Sequence, residues 1–230
     1  PYTTLFRSCS VYEQMLVKLA EDRRTLKNIR SNERKAEKKR ELLPFYAPWV
    51  AGVLADGRGA QDDILMTVML WRLDAGDIAG ALEIAPYALK YGLTSDYRRT
   101  TPYMLVEEVP LATLRLRDAG EPVDLALLLT TLSLTDGADV PDMVRARLHK
   151  VTGLTLRDAG QSAEALAQFQ RAMQLDRNAG VRKEIERLER ALKPKPEAAS
   201  RKTTKPRTRK PANKPAAKRG RPPKAVKTAG

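Results

Sequence analysis

Basic side chains are concentrated at the C-terminal end of this 230-residue chain, where they could bind a polyanion. The last 38 residues, 193–230, hold 14 Lys and Arg against one acid, a net charge of +13. The first 192 residues hold 28 Lys and Arg against 27 Asp and Glu, a net charge of +1. The sequence therefore predicts a nearly neutral folded body and a polycationic tail.

One segment of the tail has a spacing that suits the DNA minor groove. Its Arg-Gly-Arg-Pro sequence resembles the AT-hook, in which two arginines lie in a narrow A·T groove and glycine lets the backbone approach. Such grooves have an enhanced negative potential that attracts arginine. The candidate DNA-binding residues here are Lys218, Arg219, Gly220, Arg221, Pro222 and Lys224, with a second phosphate-binding patch at Lys205, Arg207, Arg209 and Lys210.

The alternative is a solubilising tail that binds any polyanion weakly. In both cases binding should weaken steeply as the salt concentration rises, because counterion release dominates.

Residues that could carry catalysis are scarce. The sequence has no Gly-x-x-x-x-Gly-Lys-Ser/Thr loop, so ATP hydrolysis by that route is not expected. Cys9 is the only cysteine and His149 the only histidine, which argues against an internal disulfide and a structural zinc site. We expect no cofactor, with Mg²⁺ needed only if the chain cuts DNA.

Adjacent carboxylates at Asp62 and Asp63 are the first candidates for a metal-dependent nuclease, which needs clustered carboxylates near a scissile phosphate. On a helix, however, neighbours point about 100° apart, and helix capping explains the pair better. Residues 33–35 and 37–39 match the Glu-x-Lys end of a nuclease motif but lie on a predicted helix instead of a strand. The catalytic residues, and whether the chain is an enzyme, stay unassigned.

Four segments follow from composition and periodicity. Residues 1–9 read like a translated sequencing adapter, so we interpret them as an artefact; the alternative is a disordered arm. Residues 10–43 predict one long basic helix, either a short coiled coil or a helix lying on the body, with DNA-binding candidates Arg23, Arg24, Lys27 and Arg30. Residues 44–192 predict an all-helical body, and 193–230 a disordered tail.

Helix boundaries in the body are marked by caps and turns. Asp62 and Asp77 should each cap a helix, and Thr101 should begin another. Prolines predict where helices end, kink or break: Pro44 should end the long N-terminal helix, and Pro86 and Pro110 should kink or break theirs.

The sequence Asp-Ala-Gly recurs at 74–76, 118–120 and 158–160, with small residues at matching offsets after the first and third copies. This spacing predicts hairpins of the tetratricopeptide type, and a plain antiparallel bundle is the alternative. The expected fold class is all-α.

Longer stretches resemble the small terminase subunits of temperate tailed bacteriophages, the GpM family. The resemblance lies in residues 12–16, 19–24, 42–54, 59–72, 74–77 and 144–150. It implies a homo-oligomer in the cytoplasm of the bacterial host, without membrane contact. This oligomer would bind the cohesive-end packaging site on double-stranded DNA and recruit the large ATPase subunit.

Two other functions stay open. The GpM family is also labelled an endonuclease subunit, so the chain could cut the packaging site in a metal-dependent reaction. Alternatively, the body could be a non-enzymatic helical-repeat adaptor that its tail tethers to DNA.

Overall fold

The computed structural model describes residues 10–95 and 99–193. Within these ranges the chain forms nine α-helices and no strand; an isolated bridge joins Thr94 to Thr100. The predicted all-α fold class is therefore confirmed. The helices are α1 Val11–Asn28, α2 Asn32–Asp56, α3 Asp63–Asp74, α4 Ile78–Lys90, α5 Thr101–Asp118, α6 Leu125–Leu134, α7 Asp142–Asp158, α8 Ser162–Leu175 and α9 Arg182–Leu192.

Helix α3 lies at the centre of the larger hydrophobic core, which α1 to α7 all supply. Apolar residues on every side of α3 are buried, among them Ile64, Leu65, Met69 and Leu73. Each fully buried aliphatic side chain stabilises the fold by about 1.5–3 kcal/mol. Because α3 is covered all round, it can serve as a fixed support for the helices that pack on it.

A smaller core joins α7, α8 and α9. Gly153 of α7 faces the ring of Phe169 on α8, and a Cβ at Gly153 would come within 2.7 Å of that ring. The missing side chain lets the two helices approach closely, as the predicted hairpin requires. Ala165 and Ala172 are buried on the same face of α8 as Phe169.

The three Asp-Ala-Gly sequences each end one helix. Gly76, Gly120 and Gly160 have φ of 86°, 74° and 79°, a left-handed conformation that glycine adopts without strain. After the first glycine, the N–H of Asp77 donates to the carbonyl of Arg72 at 2.8 Å, as in a Schellman motif. These turns give the hairpins α3–α4, α5–α6 and α7–α8 at the predicted places.

The single helix predicted over residues 10–43 is wrong; the segment forms α1 and the first part of α2. Ile29 has an extended backbone, and the Ser31 hydroxyl accepts a hydrogen bond from the Arg34 N–H at 3.3 Å, which starts a new helix. Tyr12 near the start of α1 stacks on Trp49 in the second half of α2. The two helices are therefore antiparallel and lie on the body.

Proline does not end or break helices here. Pro44 and Pro48 lie inside α2, Pro86 inside α4 and Pro110 inside α5. The predicted helix end at Pro44 is wrong, and α4 and α5 are not broken. Each proline removes one helical hydrogen bond. In α2, the packing of the nearby Tyr46, which is fully buried, offsets that loss.

Among the described residues, no helix is both long and apolar enough to cross a bilayer. The predictions for residues 1–9 and for the tail from residue 194 onward fall outside the described residues.

Candidate nucleic-acid interface

A buried polar cluster holds α1 against α2. Tyr46 of α2 donates its hydroxyl hydrogen to the carboxylate of Asp22 on α1 at 2.6 Å, and Lys18 forms an ion pair with the other oxygen of that carboxylate. Burial raises the pKa of Tyr46, and the hydrogen bond to Asp22 raises it further. The cluster fixes the rotation of α1, and so fixes which of its basic side chains face α2 and α3.

A second contact joins the same two helices to the start of α3. The indole N–H of Trp49 donates to Asp62 at 2.9 Å, and the Trp49 ring stacks on Tyr12 with centroids 5.6 Å apart. Asp62 also accepts the N–H groups of Ile64 and Leu65, both at 2.9 Å, as the predicted N-cap of α3. One carboxylate thus caps α3 and orients α2.

Between these helices lies a groove of about 380 Å³ with basic walls. Arg23 and Lys27 line it from α1, and Lys35 and Lys39 line it from α2. Both pairs have a spacing of four residues, so each lies on one face of its helix. No Asp or Glu lies among the described residues that line this basic groove. The groove can therefore attract an anion.

The cations of the groove differ in how they are held. Arg23 donates to the Thr67 hydroxyl at 2.6 Å, which fixes it against α3. Lys39 forms an ion pair with Asp74, so α3 compensates its charge. Lys27 and Lys35 have no ion pair within the described part of the chain. These two lysines are the cations best placed to bind an external phosphate.

A second basic cluster lies where α1 turns into α2. Arg30, Arg34 and Lys38 line this surface together with Glu37 and Glu41. Lys38 forms an ion pair with Glu41 at 2.7 Å. The interspersed acids reduce the potential here, so this cluster should attract an anion less strongly than the basic groove.

The structure places the predicted α1 residues at different sites. Arg23 and Lys27 lie in the basic groove, Arg30 lies in the cluster at the turn, and Arg24 is exposed on α1. Four candidates chosen from one helix therefore do not form one cluster. All candidates of the tail lie outside the described residues: Lys205, Arg207, Arg209, Lys210, Lys218, Arg219, Gly220, Arg221, Pro222 and Lys224.

Sequence reasoning missed four residues of the groove. Lys35 and Lys39 come from α2, and Thr67 and Ser95 supply hydroxyl groups from α3 and the loop after α4. Only the spacing of Lys35 and Lys39 gave a signal in the sequence. The two hydroxyl residues are close to α1 only because the chain folds back on α3.

The nuclease candidates have other roles. Asp62 is engaged in the cap and the Trp49 hydrogen bond, and Asp63 accepts from the Gln61 amide at 3.1 Å. No group of three or more His, Cys, Asp or Glu among the described residues could hold a metal ion. Asp62 therefore caps α3, as the capping interpretation expects, whereas Asp63 lies in the first turn of α3 and caps no helix.

His149 is half-buried between α7 and α8. Its Nδ1 lies 2.7 Å from the amide oxygen of Gln168, so Nδ1 carries the hydrogen in the neutral ring. Burial lowers the pKa of His149, and the positive charges of Arg171 and Arg145 lower it further. A neutral imidazole that is hydrogen-bonded to an amide helps to orient α7 against α8. A histidine that activates a nucleophile would instead need a hydroxyl or thiol side chain as its partner.

The comparison with known families decides the identity. A family model described as phage small terminase subunit matches residues 16–143, which include most of α1, all of α2 to α6 and the whole basic groove. The chain belongs to the phage small terminase subunit family.

One relative shows the same family membership over nearly the full length. The chain is 67% identical over 224 residues to a protein of Escherichia phage P2 named "Terminase, endonuclease subunit". The match covers 95% of this chain and 89% of that relative. No solved structure matches. Membership of the small terminase family supports a role in phage DNA packaging.

Proposed function

We propose that this small terminase subunit binds the cohesive-end packaging site of phage DNA and recruits the large ATPase subunit. It would act as a homo-oligomer in the cytoplasm of the bacterial host. Family membership supports the packaging role, and the observation that carries DNA binding is the basic groove of α1 and α2. The tail, with its net charge of +13, adds electrostatic affinity for the phosphate backbone.

Within this proposal the body and the tail act differently on DNA. Fixed side chains on α1 and α2 contact phosphates in a set geometry, which positions the protein on a duplex. The Arg-Gly-Arg-Pro sequence at 219–222 selects A·T-rich DNA through its narrow groove. The body therefore sets the position of the protein on the duplex, and the tail supplies a preference for A·T-rich DNA and most of the affinity.

The test compares binding of the full chain to a packaging-site duplex and to a shuffled duplex at physiological salt. We expect at least a tenfold preference, about 1.4 kcal/mol. In the double variant Lys27→Gln, Lys35→Gln, which removes two cations of the basic groove, affinity should fall, and the slope of log affinity against log salt should become shallower by about one for each phosphate released. The control Lys183→Gln, Arg190→Gln removes the same charge from exposed positions on α9.

Two results would count against the proposal. Equal affinity for both duplexes would show that the chain does not recognise the packaging site. If the large subunit does not co-purify with the full chain, the chain does not recruit it.

A second candidate function is cleavage of the packaging site, favoured by the name of the phage P2 relative. The test incubates packaging-site DNA and Mg²⁺ with the full chain alone, with the large subunit alone and with both. Cutting by this chain alone would support a nuclease site in it. Cutting that needs only the large subunit would assign the reaction to the partner.

A further inference from the structure

We propose that the basic groove between α1, α2 and α3 is a discrete binding site for one phosphate group of a nucleic acid. The inference rests on the proposed DNA-binding function and adds to it a defined pocket and a defined ligand group. Three observations on the described residues carry it: two lysines without an ion pair, a buried hydroxyl without a hydrogen bond, and apolar walls.

The lysines provide charge from two different helices. Lys27 of α1 and Lys35 of α2 both line the groove, and neither has an ion pair within the described residues. Lys ammonium groups bind phosphate as point charges with three donors each. Two such groups on opposite walls can contact different oxygens of one phosphate.

The hydroxyl is the independent observation. Ser95 lines the same groove and is only 8% exposed, and its Oγ has no hydrogen-bond partner among the described residues. A buried hydroxyl without a partner costs free energy, so buried hydroxyls usually have a hydrogen-bond partner, and a bound anion would supply one here. Rotation about χ1 gives the Ser95 hydroxyl three staggered positions, and an anion at the groove wall can accept its hydrogen.

Part of the groove lining is apolar. Met66, Leu70 and Trp71 of α3 lie behind the lysines, and Trp71 and Met66 are buried. Water is partly excluded beside such walls, which strengthens the attraction between a cation and an anion. A recessed pocket of this kind suits a phosphate that projects from the nucleic acid, either a duplex phosphodiester or a 5′-terminal phosphate.

The experiment measures binding of the full chain to linear duplexes of one sequence that carry either 5′-phosphate or 5′-hydroxyl ends. The variants are Ser95→Ala and Lys35→Gln, with Lys183→Gln as the control for charge. Each groove variant should weaken binding by roughly ten- to hundredfold, the loss of one hydrogen bond to a charged group, and the control should not. If the groove variants bind both duplexes more weakly than the wild type, the ligand is a phosphodiester of the duplex. If they bind only the 5′-phosphorylated duplex more weakly, the ligand is the terminal phosphate.

A second measurement does not depend on DNA. Inorganic phosphate is titrated into the full chain, and the indole N–H signal of Trp71 is followed by NMR. The chain has two tryptophans, so Trp49→Phe assigns the two signals. The Trp71 signal should shift in the wild type and shift less in Ser95→Ala.

The outcomes separate the site from the proposed function. Wild-type affinity in both groove variants, with a Trp71 signal that phosphate leaves unchanged, would overturn the site while DNA binding stands. No DNA binding by the wild type, with a phosphate-dependent Trp71 shift, would overturn the DNA-binding function and keep the anion site. Because the Ser95 hydroxyl has no partner among the described residues, Ser95→Ala should unfold at the same denaturant concentration as the wild type.

Discussion

Tyr46 donates its hydroxyl hydrogen to Asp22 at 2.6 Å, and the two residues are 0% and 6% exposed. The pair is 24 positions apart in sequence and joins α1 to α2. A carboxylate buried this deeply needs its partners, since each unsatisfied oxygen would cost free energy. Here Tyr46 and Lys18 each satisfy one oxygen of Asp22.

Removing that hydroxyl should destabilise the fold. In Tyr46→Phe the Asp22 carboxylate loses a partner without gaining water, so the free energy of unfolding should fall by about 1–3 kcal/mol. Urea denaturation measures the change. Tyr103→Phe is the control, because the Tyr103 hydroxyl has no hydrogen bond within the described residues. Equal stability of the two variants would show that the Asp22 contact contributes nothing.

Two helical glycines should respond in opposite directions to alanine. In Gly153→Ala the new Cβ would come 2.7 Å from the Phe169 ring, so the hairpin must separate and stability should fall by about 1–3 kcal/mol. In Gly52→Ala the new Cβ meets nothing within 4 Å, and the better helix former should raise stability by roughly 0.5–1 kcal/mol. Thermal unfolding compares them; a stabilised Gly153→Ala would contradict the close approach of α7 and α8.

The structural role of Asp62 predicts which substitutions it tolerates. Asp62→Ala removes the cap of α3 and the acceptor of Trp49 and should cost about 1–2 kcal/mol or more. Asp62→Asn keeps an oxygen acceptor and should lose less stability. Circular dichroism melts test this order. If the chain cuts DNA, both variants should cut in proportion to their folded fraction; loss of cutting in a fully folded Asp62→Asn would instead make Asp62 catalytic.

His149 should make stability depend on pH. Burial lowers the pKa of this group below its ordinary 6.5, so the unfolded state binds the proton more readily than the folded state. The contribution of neutral His149 is complete above pH 6.5 and is lost as pH falls from 6.5 through the lower pKa of the folded state.

The measurement is the free energy of unfolding from about pH 8 to about pH 5 for the wild type and for His149→Gln. His149 is the only histidine, so the variant removes the whole imidazole titration. Burial raises the pKa of Glu108, whose titration is common to both proteins and cancels in the difference. The wild type should lose more stability toward the acidic end; parallel curves would contradict the lowered pKa.

Local signals in the sequence were enough to predict the helical class, most helix ends in the body and the family. Asp62 and Asp77 accept N–H groups of the next turn, and Gly76, Gly120 and Gly160 take left-handed conformations. Local signals failed at Pro44, because the packing of Tyr46 on the body outweighs one lost hydrogen bond.

The convergence of the side chains that line the basic groove, in contrast, follows from tertiary packing. Ser31 starts a new helix, and α2 then folds back antiparallel to α1. That reversal brings Lys35 opposite Lys27, and the loop after α4 adds Ser95. Clustered Lys and Arg residues in a sequence indicate that the protein attracts anions. A defined binding site also needs side chains from different helices and loops to lie close together. Their convergence depends on the Asp22–Tyr46 and Trp49–Asp62 contacts, which join residues far apart in the chain.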